Sequence, residues 1–288
     1  MTAREWLRKY TSIFQQAGID EAADEAMVLL CHALKLGKAE IFTQPERSLT
    51  GEQLTLLESL TARRLRREPS AYITGQKEFY GLSLFVDTRV LIPRPETEVL
   101  VEAAIEFARS WATRNQRRML VADIGTGSGA IAIALATHIP DSFVYAVDIS
   151  AGALDVAALN IRRYGLDKKI TLKQSNLLEQ INQKLDLVVA NLPYIPGGEL
   201  AGLQPEVRLY EPMSALNGGD NGTDFIEAIL AQTADKVAPG GALLLEIGAG
   251  QVELLIPIVQ DVLPGTGIDL IKDLAGIDRC MSIIIAGG

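Results

Sequence analysis

In Met119-Leu-Val-Ala-Asp123-Ile124-Gly125-Thr126-Gly127-Ser128-Gly129-Ala130, an apolar run gives way to three alternating glycines and then to a second apolar segment, Ala130–His138. The first run has no polar alternation, which suits a strand buried on both faces; the second is long enough for a helix. Glycines between a strand and a helix permit a tight turn and a close approach of backbone to a ligand. Working outward, the same alternation continues. Strands are expected at Phe143–Val147, Ile170–Lys173, Leu185–Ala190 and Ala242–Ile247, with helices at Ala151–Tyr164, Asp224–Val237 and Val252–Val262 and terminal strands at Ile268–Ile271 and Met281–Ile285. This order predicts the α/β class, with a parallel sheet covered by helices on both faces. The longest irregular stretch, Ile195–Thr223, is rich in Pro, Gly and Asn, and a loop of that length in a compact domain is often functional.

Toward the N-terminus the pattern changes. Trp6, Leu7, Tyr10, Ile13 and Phe14 follow helical spacing, Gly18 ends that helix, and Asp20 is a plausible N-cap for the next. Thr50-Gly-Glu-Gln53 has the form of a capping box. The arginines 63, 64, 66 and 67 are read as a solvated last turn favoured by the helix dipole, in preference to an anion site. After Glu68-Pro69, Lys77–Tyr80 and Leu82–Val86 read as a hairpin. The stiff segment Val90-Leu-Ile-Pro93-Arg94-Pro95-Glu96-Thr97-Glu98 follows and leads into a helix. Three parts are therefore expected: a helical domain over 1–74 that binds or positions a partner, a β-hairpin linker over 75–95, and a catalytic domain over 96–288.

Charge narrows the partners. Residues 1–80 carry eleven basic and eleven acidic side chains, so the net charge of −9 lies entirely in 81–288. A nucleic-acid enzyme ordinarily presents a basic face near its site, and this balance disfavours one. No apolar run reaches membrane-spanning length without charge or glycine, and no signal peptide opens the chain, so a cytoplasmic protein is expected. Cys31 and Cys280 are expected as buried free thiols; with His32 and His138 they form no zinc-binding cluster, and no metal is expected.

Two constellations carry chemistry. Gly125, Thr126, Gly127, Ser128 and Gly129 precede a helix amino end, which supplies donors and positive potential. Asp148 ends the next strand, 19 residues past Gly129, where a carboxylate accepts from ribose hydroxyls. Gly125-x-Gly127-x-x-Ala130 also satisfies the dinucleotide fingerprint, so a nicotinamide enzyme and a purely structural turn stay open on the glycines alone. The second constellation, Asn191-Leu192-Pro193-Tyr194, ends the strand Leu185–Ala190. Pro193 restricts Leu192 to extended backbone, so the Asn191 side-chain oxygen and the Leu192 carbonyl form two fixed acceptors beside an aromatic ring. Such a loop suits a planar amide or amino group and has no evident use in hydride transfer. A nucleoside cofactor beside it suits methyl transfer from S-adenosylmethionine, with S-adenosyl-L-homocysteine as product.

With these residues in view the chain resembles the peptide-chain-release-factor glutamine methyltransferases (the PrmC/HemK family). The resemblance covers nearly all of the sequence. It rests on Gly75-Gln-Lys-Glu-Phe79-Tyr-Gly81, Leu91-Ile-Pro-Arg94-Pro-Glu96-Thr-Glu98, the glycine loop, Asn191–Tyr194, Glu206-Val-Arg-Leu-Tyr-Glu-Pro212 and Asp273-Leu-Ala-Gly-x-Asp-Arg279. It implies a Rossmann-like seven-stranded sheet whose last strand is antiparallel, with an N-terminal helical domain that docks the release factor. It implies methylation of the glutamine amide in the release factor's Gly-Gly-Gln loop; a monomer is expected, and the charge balance disfavours direct nucleic-acid binding. Cofactor positions then fall on Gly125–Gly129, Asp148, Asn176, Leu177 and Asn191. The substrate loop falls on Asn191–Tyr194, and Phe79, Arg94 and Glu96 fall on segments near the site.

The sequence leaves the family pattern twice. Leu192 replaces a proline, giving Asn-Leu-Pro-Tyr, a form also found in ribosomal-RNA adenine dimethyltransferases. Ser175-Asn176-Leu177 replaces an acidic residue and an aromatic, which predicts weaker cofactor affinity. An adenine-N6 methyltransferase acting on RNA or DNA, and an inactive binding protein of the same fold, are the alternative readings.

Overall fold

The computed structural model describes residues 1–286. It comprises two compact units, Met1–Gln76 with Gln204–Tyr210, and Lys77–Leu203 with Glu211 onward.

The first unit contains α1 (Ala3–Gln16), α2 (Ala22–Leu34), α3 (Lys38–Thr43), α4 (Gly51–Leu65) and α5 (Ser70–Thr74). Capping boxes start α1 at Thr2/Glu5 and α4 at Thr50/Gln53, each pair satisfying helix-end N–H groups that otherwise lack partners. The start of α2 differs from expectation: its N-cap is Glu21, in the left-handed region with no side-chain cap, and not Asp20. Trp6, Phe14, Leu29, Leu30 and Leu57 form the core of this unit.

The arginine cluster is also corrected. Arg63 pairs with Glu68. Arg64 is buried, with Nε on Glu25 at 2.6 Å and Nη2 on Glu206 at 2.9 Å, and Arg67 holds the other Glu206 oxygen at 2.8 Å. Burial of a guanidinium demands such pairing, so this is an internal ion network, and Arg66 alone is solvated. Glu206 lies on a short helix, α9 (Pro205–Tyr210), which therefore groups with the helical unit although it lies within the span expected as catalytic domain.

The second unit contains the hairpin β1 (Gln76–Phe79) and β2 (Leu82–Phe85), followed by α6 (Thr97–Arg114), β3 (Met119–Ile124), α7 (Ala130–His138), β4 (Ser142–Asp148), α8 (Ala151–Arg163), β5 (Ile170–Gln174), β6 (Leu185–Ala190), α10 (Asp224–Lys236), β7 (Val237–Glu246), α11 (Val252–Val262), β8 (Gly267–Lys272) and β9 (Asp278–Ile284). The sheet order is β5-β4-β3-β6-β7-β9-β8, parallel throughout except β9. Leu187 and Val189 of β6 belong to the core on one face, Val188 and Ala190 to the core on the other. Burial on both faces is why the strand shows no alternation.

Buried Asn160 on α8 ties the hairpin to the glycine loop. Its Oδ1 accepts from Phe85 N at 2.7 Å, and its Nδ2 donates to Phe85 O at 2.9 Å and Ser128 O at 2.8 Å. Cys280 is a buried free thiol and Cys31 a half-buried one. Among the described residues no helix is long and apolar enough to cross a membrane.

Candidate active site

Four strands end in polar groups at one edge of the sheet: Asp123 on β3, Asp148 on β4, Asn191 just past β6 and Glu246 on β7. In a parallel sheet this carboxyl edge is where ligands bind.

Asp123 organises the glycine loop from beneath. It is fully buried; its Oδ2 accepts from the Thr126 hydroxyl at 2.6 Å and from Ala132 N at 3.0 Å. Burial pushes its carboxyl up to about 7. Gly125 N and Thr126 N both donate to Val147 O at 2.9 Å, and Gly127 N donates to Asp148 Oδ2 at 2.9 Å. The other Asp148 oxygen accepts from Ser150 N. Burial raises the Asp148 pKa against these backbone donors. Gly125 has φ +73°, and a Cβ there would stand 3.4 Å from both Asn191 O and Leu192 Cδ2. The positive φ is what favours glycine where the glycine loop meets the Asn-Leu-Pro-Tyr loop; an added Cβ would only come into van der Waals contact.

A cavity of about 450 Å3 opens between them, within the ordinary range for a small-molecule site. Gly125, Gly127, Asp148, Asn176, Leu177, Asn191, Leu192 and Pro193 line it. Thr126, Ser128 and Gly129 do not; the first two are buried and the third begins α7. Asn176 Nδ2 is held by Glu179 at 2.7 Å, which leaves its carbonyl oxygen for a ligand. Leu177 has φ +49° and packs in the core with Ile124 and Val147, so it spreads no flat face over the cavity. Sequence reasoning missed the apolar lining by Ile149, Met213 and Phe225. Ile149 is 64% exposed, and the available signal was an apolar residue directly after the strand-ending Asp148.

Beyond the cavity, Asn191 Nδ2 donates to Thr97 Oγ1 at 3.1 Å. The Tyr194 hydroxyl donates to Glu246 Oε1 at 3.3 Å, and burial with that carboxylate raises the Tyr194 pKa. Gln251 Nε2 donates to Tyr194 O at 3.0 Å and to Gly222 O at 3.2 Å. The long loop pairs back on this segment, with Ile195 N on Leu216 O and Gly218 N on Ile195 O. Glu211 accepts from Ile92 N at 3.2 Å and from Arg94 Nη2. The proline-flanked loop and Glu211, far apart in sequence, are thus joined. Arg94 is spent in that ion pair. Glu96 is exposed, within electrostatic reach of Glu246 and Arg279. Phe79 is 1% exposed, shares a core cluster with Leu84 and Leu100 and does not line the cavity.

A seven-stranded sheet of this order, with a glycine loop and an Asn-Leu-Pro-Tyr loop meeting at its carboxyl edge, defines a methyltransferase of the Rossmann-like class. The family described as PrmC N-terminal domain matches residues 5–75, and the methyltransferase small domain matches residues 105–203. The release factor glutamine methyltransferase of Geobacter sulfurreducens is 41% identical over 253 residues, covering 88% of this chain and 85% of its own. That of Bacillus anthracis is 36% identical over 282 residues, covering 97% and 98%. Among solved structures, the catalytic domain of hMettl16 is 14% identical with a TM-score of 0.58, over 75% of this chain and 80% of that one, a likeness of fold. The chain belongs to the release factor glutamine methyltransferase family.

Proposed function

We propose that the protein transfers a methyl group from S-adenosylmethionine to the side-chain amide nitrogen of the glutamine in the Gly-Gly-Gln loop of a peptide chain release factor. The observation that carries this reading is the contact between the two loops: the Asn191 backbone carbonyl and the Leu192 side chain meet Gly125, and Asn191, Leu192 and Pro193 line the same cavity as Gly125, Gly127 and Asp148. The cavity fits the cofactor by its donor set. Backbone at the glycine loop, a carboxylate at Asp148 for ribose hydroxyls, the Asn176 carbonyl for an amino group and apolar Ile149 and Phe225 for a base all face one space. When bound, the cofactor supplies an activated methyl group.

The chain's own part is orientation. An amide nitrogen is a poor nucleophile because its lone pair is delocalised. Asn191 Oδ1 and the Leu192 carbonyl accept its two hydrogens, which favours the polarised form and aims the nitrogen. Both interactions strengthen as positive charge develops on nitrogen, and the proton that nitrogen sheds on gaining the methyl leaves through these acceptors to water. Leu192 keeps this geometry without the usual proline, since only its carbonyl takes part. This reading places the enzyme with its substrate in the cytoplasm.

Incubation with labelled S-adenosylmethionine and, separately, a release factor, its Gln→Ala loop variant and total RNA tests the proposal. Label is expected on the intact release factor alone; label on RNA but not on the release factor overturns it. The missing stacking face at Leu177 predicts that Leu177→Trp tightens cofactor binding several-fold in titration calorimetry, by roughly the value of one aromatic contact. An unchanged affinity counts against that role for the position.

A further inference from the structure

The turn between β8 and β9, Asp273-Leu-Ala-Gly-Ile277, contributes nothing to the cavity. Leu274 at its tip is 108% exposed; Phe42, the next most exposed large apolar residue among those described, is 68% exposed. A single leucine on a surface is ordinary, but this one is mounted on a fixed turn. Asp273 N donates to Ile277 O at 2.8 Å, and Gly276 N donates to Asp273 O at 2.9 Å. Asp273 Oδ1 accepts from Ala275 N at 2.9 Å and from Ile277 N at 3.0 Å, while Oδ2 accepts from Arg279 Nε at 2.9 Å. Lys272 Nζ donates to Gly276 O at 3.2 Å. Gly276 has φ +80°, the left-handed conformation that closes the turn.

The flanking charges are cancelled locally. Asp273 pairs with Arg279, and Asp278 pairs with Lys272 at 3.3 Å. The tip itself, Leu274-Ala275-Gly276-Ile277, is uncharged and exposed throughout. It offers nothing to a phosphate and suits an apolar recess in a protein. Its place in the fold says which protein. Arg279 O accepts from Ile247 N at 2.9 Å, Cys280 pairs with Glu246, and Glu246 Oε1 accepts from the Tyr194 hydroxyl at 3.3 Å. The turn therefore leaves the sheet at the same edge as the Asn191–Tyr194 loop, with only β7 between β6 and β9.

We propose that Leu274, supported by Ile277, is an anchor for the protein substrate, seated in an apolar recess of the release factor while the acceptor glutamine reaches Asn191. The inference rests on the function proposed above, which brings that protein to this edge. Because the turn is already ordered, the contact forms without the cost of fixing a loop on binding. It acts on the encounter with the protein and not on the reacting atoms, so its effect belongs in KM and not in kcat.

The test compares Leu274→Ser and Leu274→Met with the wild type, and with Leu159→Ser as control. Leu159 is 45% exposed and lies in the second half of α8, toward the opposite edge of the sheet. Leu274→Ser is expected to raise KM for the release factor about tenfold. Calorimetry should show its binding to enzyme loaded with S-adenosyl-L-homocysteine weakened by a similar factor, the scale of one leucine withdrawn from an apolar contact. The kcat at saturating release factor and the cofactor affinity should stay within about twofold. Urea unfolding should not shift, because the side chain stands in solvent. Leu274→Met, apolar and of similar volume, should keep most of the affinity, and Leu159→Ser should bind as the wild type does. A wild type that neither binds nor methylates the release factor refutes the proposed function and the anchor with it. An active wild type whose KM and binding are unmoved by Leu274→Ser overturns the anchor alone, as does an equal loss in Leu274→Met or in Leu159→Ser.

Discussion

Asn191→Ala is expected to lower methyl transfer by about 10²- to 10³-fold or more, the scale set by removing one preorganised group from a reacting centre. Alanine deletes the side-chain acceptor while leaving the Leu192 carbonyl, so the substrate amide keeps one of two orienting contacts and is free to rotate about it. The effect belongs on kcat, because the contact strengthens as charge builds on nitrogen. Cofactor binding should change by no more than about threefold. The groups offered to the cofactor at Gly125, Gly127, Asp148 and Asn176 are untouched, and Asn191 reaches Gly125 with its backbone carbonyl, which alanine retains. Stability should drop by about 1 kcal/mol, because Thr97 loses its donor. Single-turnover methylation alongside calorimetric titration of S-adenosylmethionine checks this; near-wild-type turnover would refute the role given to the side chain.

That prediction uses a residue visible in the sequence, and the reason is locality. The glycine loop, Asp148 and Asn191 each end an apolar strand, so a reading of strand ends finds them without knowledge of tertiary contacts. β3, α7, β6 and α11 have the expected limits because fully buried strands and glycine-bounded helices mark their own ends. β9 begins three residues early, at Asp278, and β7 departs furthest. It begins at Val237, five residues early, since Val237 pairs with Leu185 across a register shift that Gly240 and Gly241 conceal in sequence.

What stayed hidden depends on distant partners. Glu246 ends an apolar strand just as Asp148 does, and the same rule applied to Leu243-Leu-Leu-Glu246 would have marked it; its contact with the Tyr194 hydroxyl joins residues 52 apart. Arg64 looked solvated because Glu25 and Glu206 lie 39 and 142 residues away. Thr97 was read for the charges on either side of it, although its own hydroxyl is the part that touches Asn191.

Gly222→Ala should cost more than any ordinary loop substitution. Gly222 has φ +76°, where a side chain is strained in any case. Its added Cβ would also fall 2.2 Å from Tyr194 O and 2.8 Å from Gln251 Nε2. Neither neighbour yields cheaply. Tyr194 O is a backbone atom, and Gln251 Nε2 holds it at 3.0 Å while also holding Gly222 O at 3.2 Å. Moving the carbonyl breaks those bonds and drags the Tyr194 ring from Glu246, and the peptide that follows Pro193 turns with it. A destabilisation of about 3–5 kcal/mol is expected, from steric overlap and lost buried hydrogen bonds together. Protein that still folds should lose methyl transfer by at least about 100-fold while binding S-adenosylmethionine, because the displaced loop is the one that orients the acceptor. Gly198→Ala is the matched control: its φ is not positive and an added Cβ meets nothing within 4 Å, so urea unfolding and turnover should both stay near wild type. Equal behaviour of the two variants would show that the Tyr194 carbonyl is free to move, and with it that Gln251 does not fix the substrate loop.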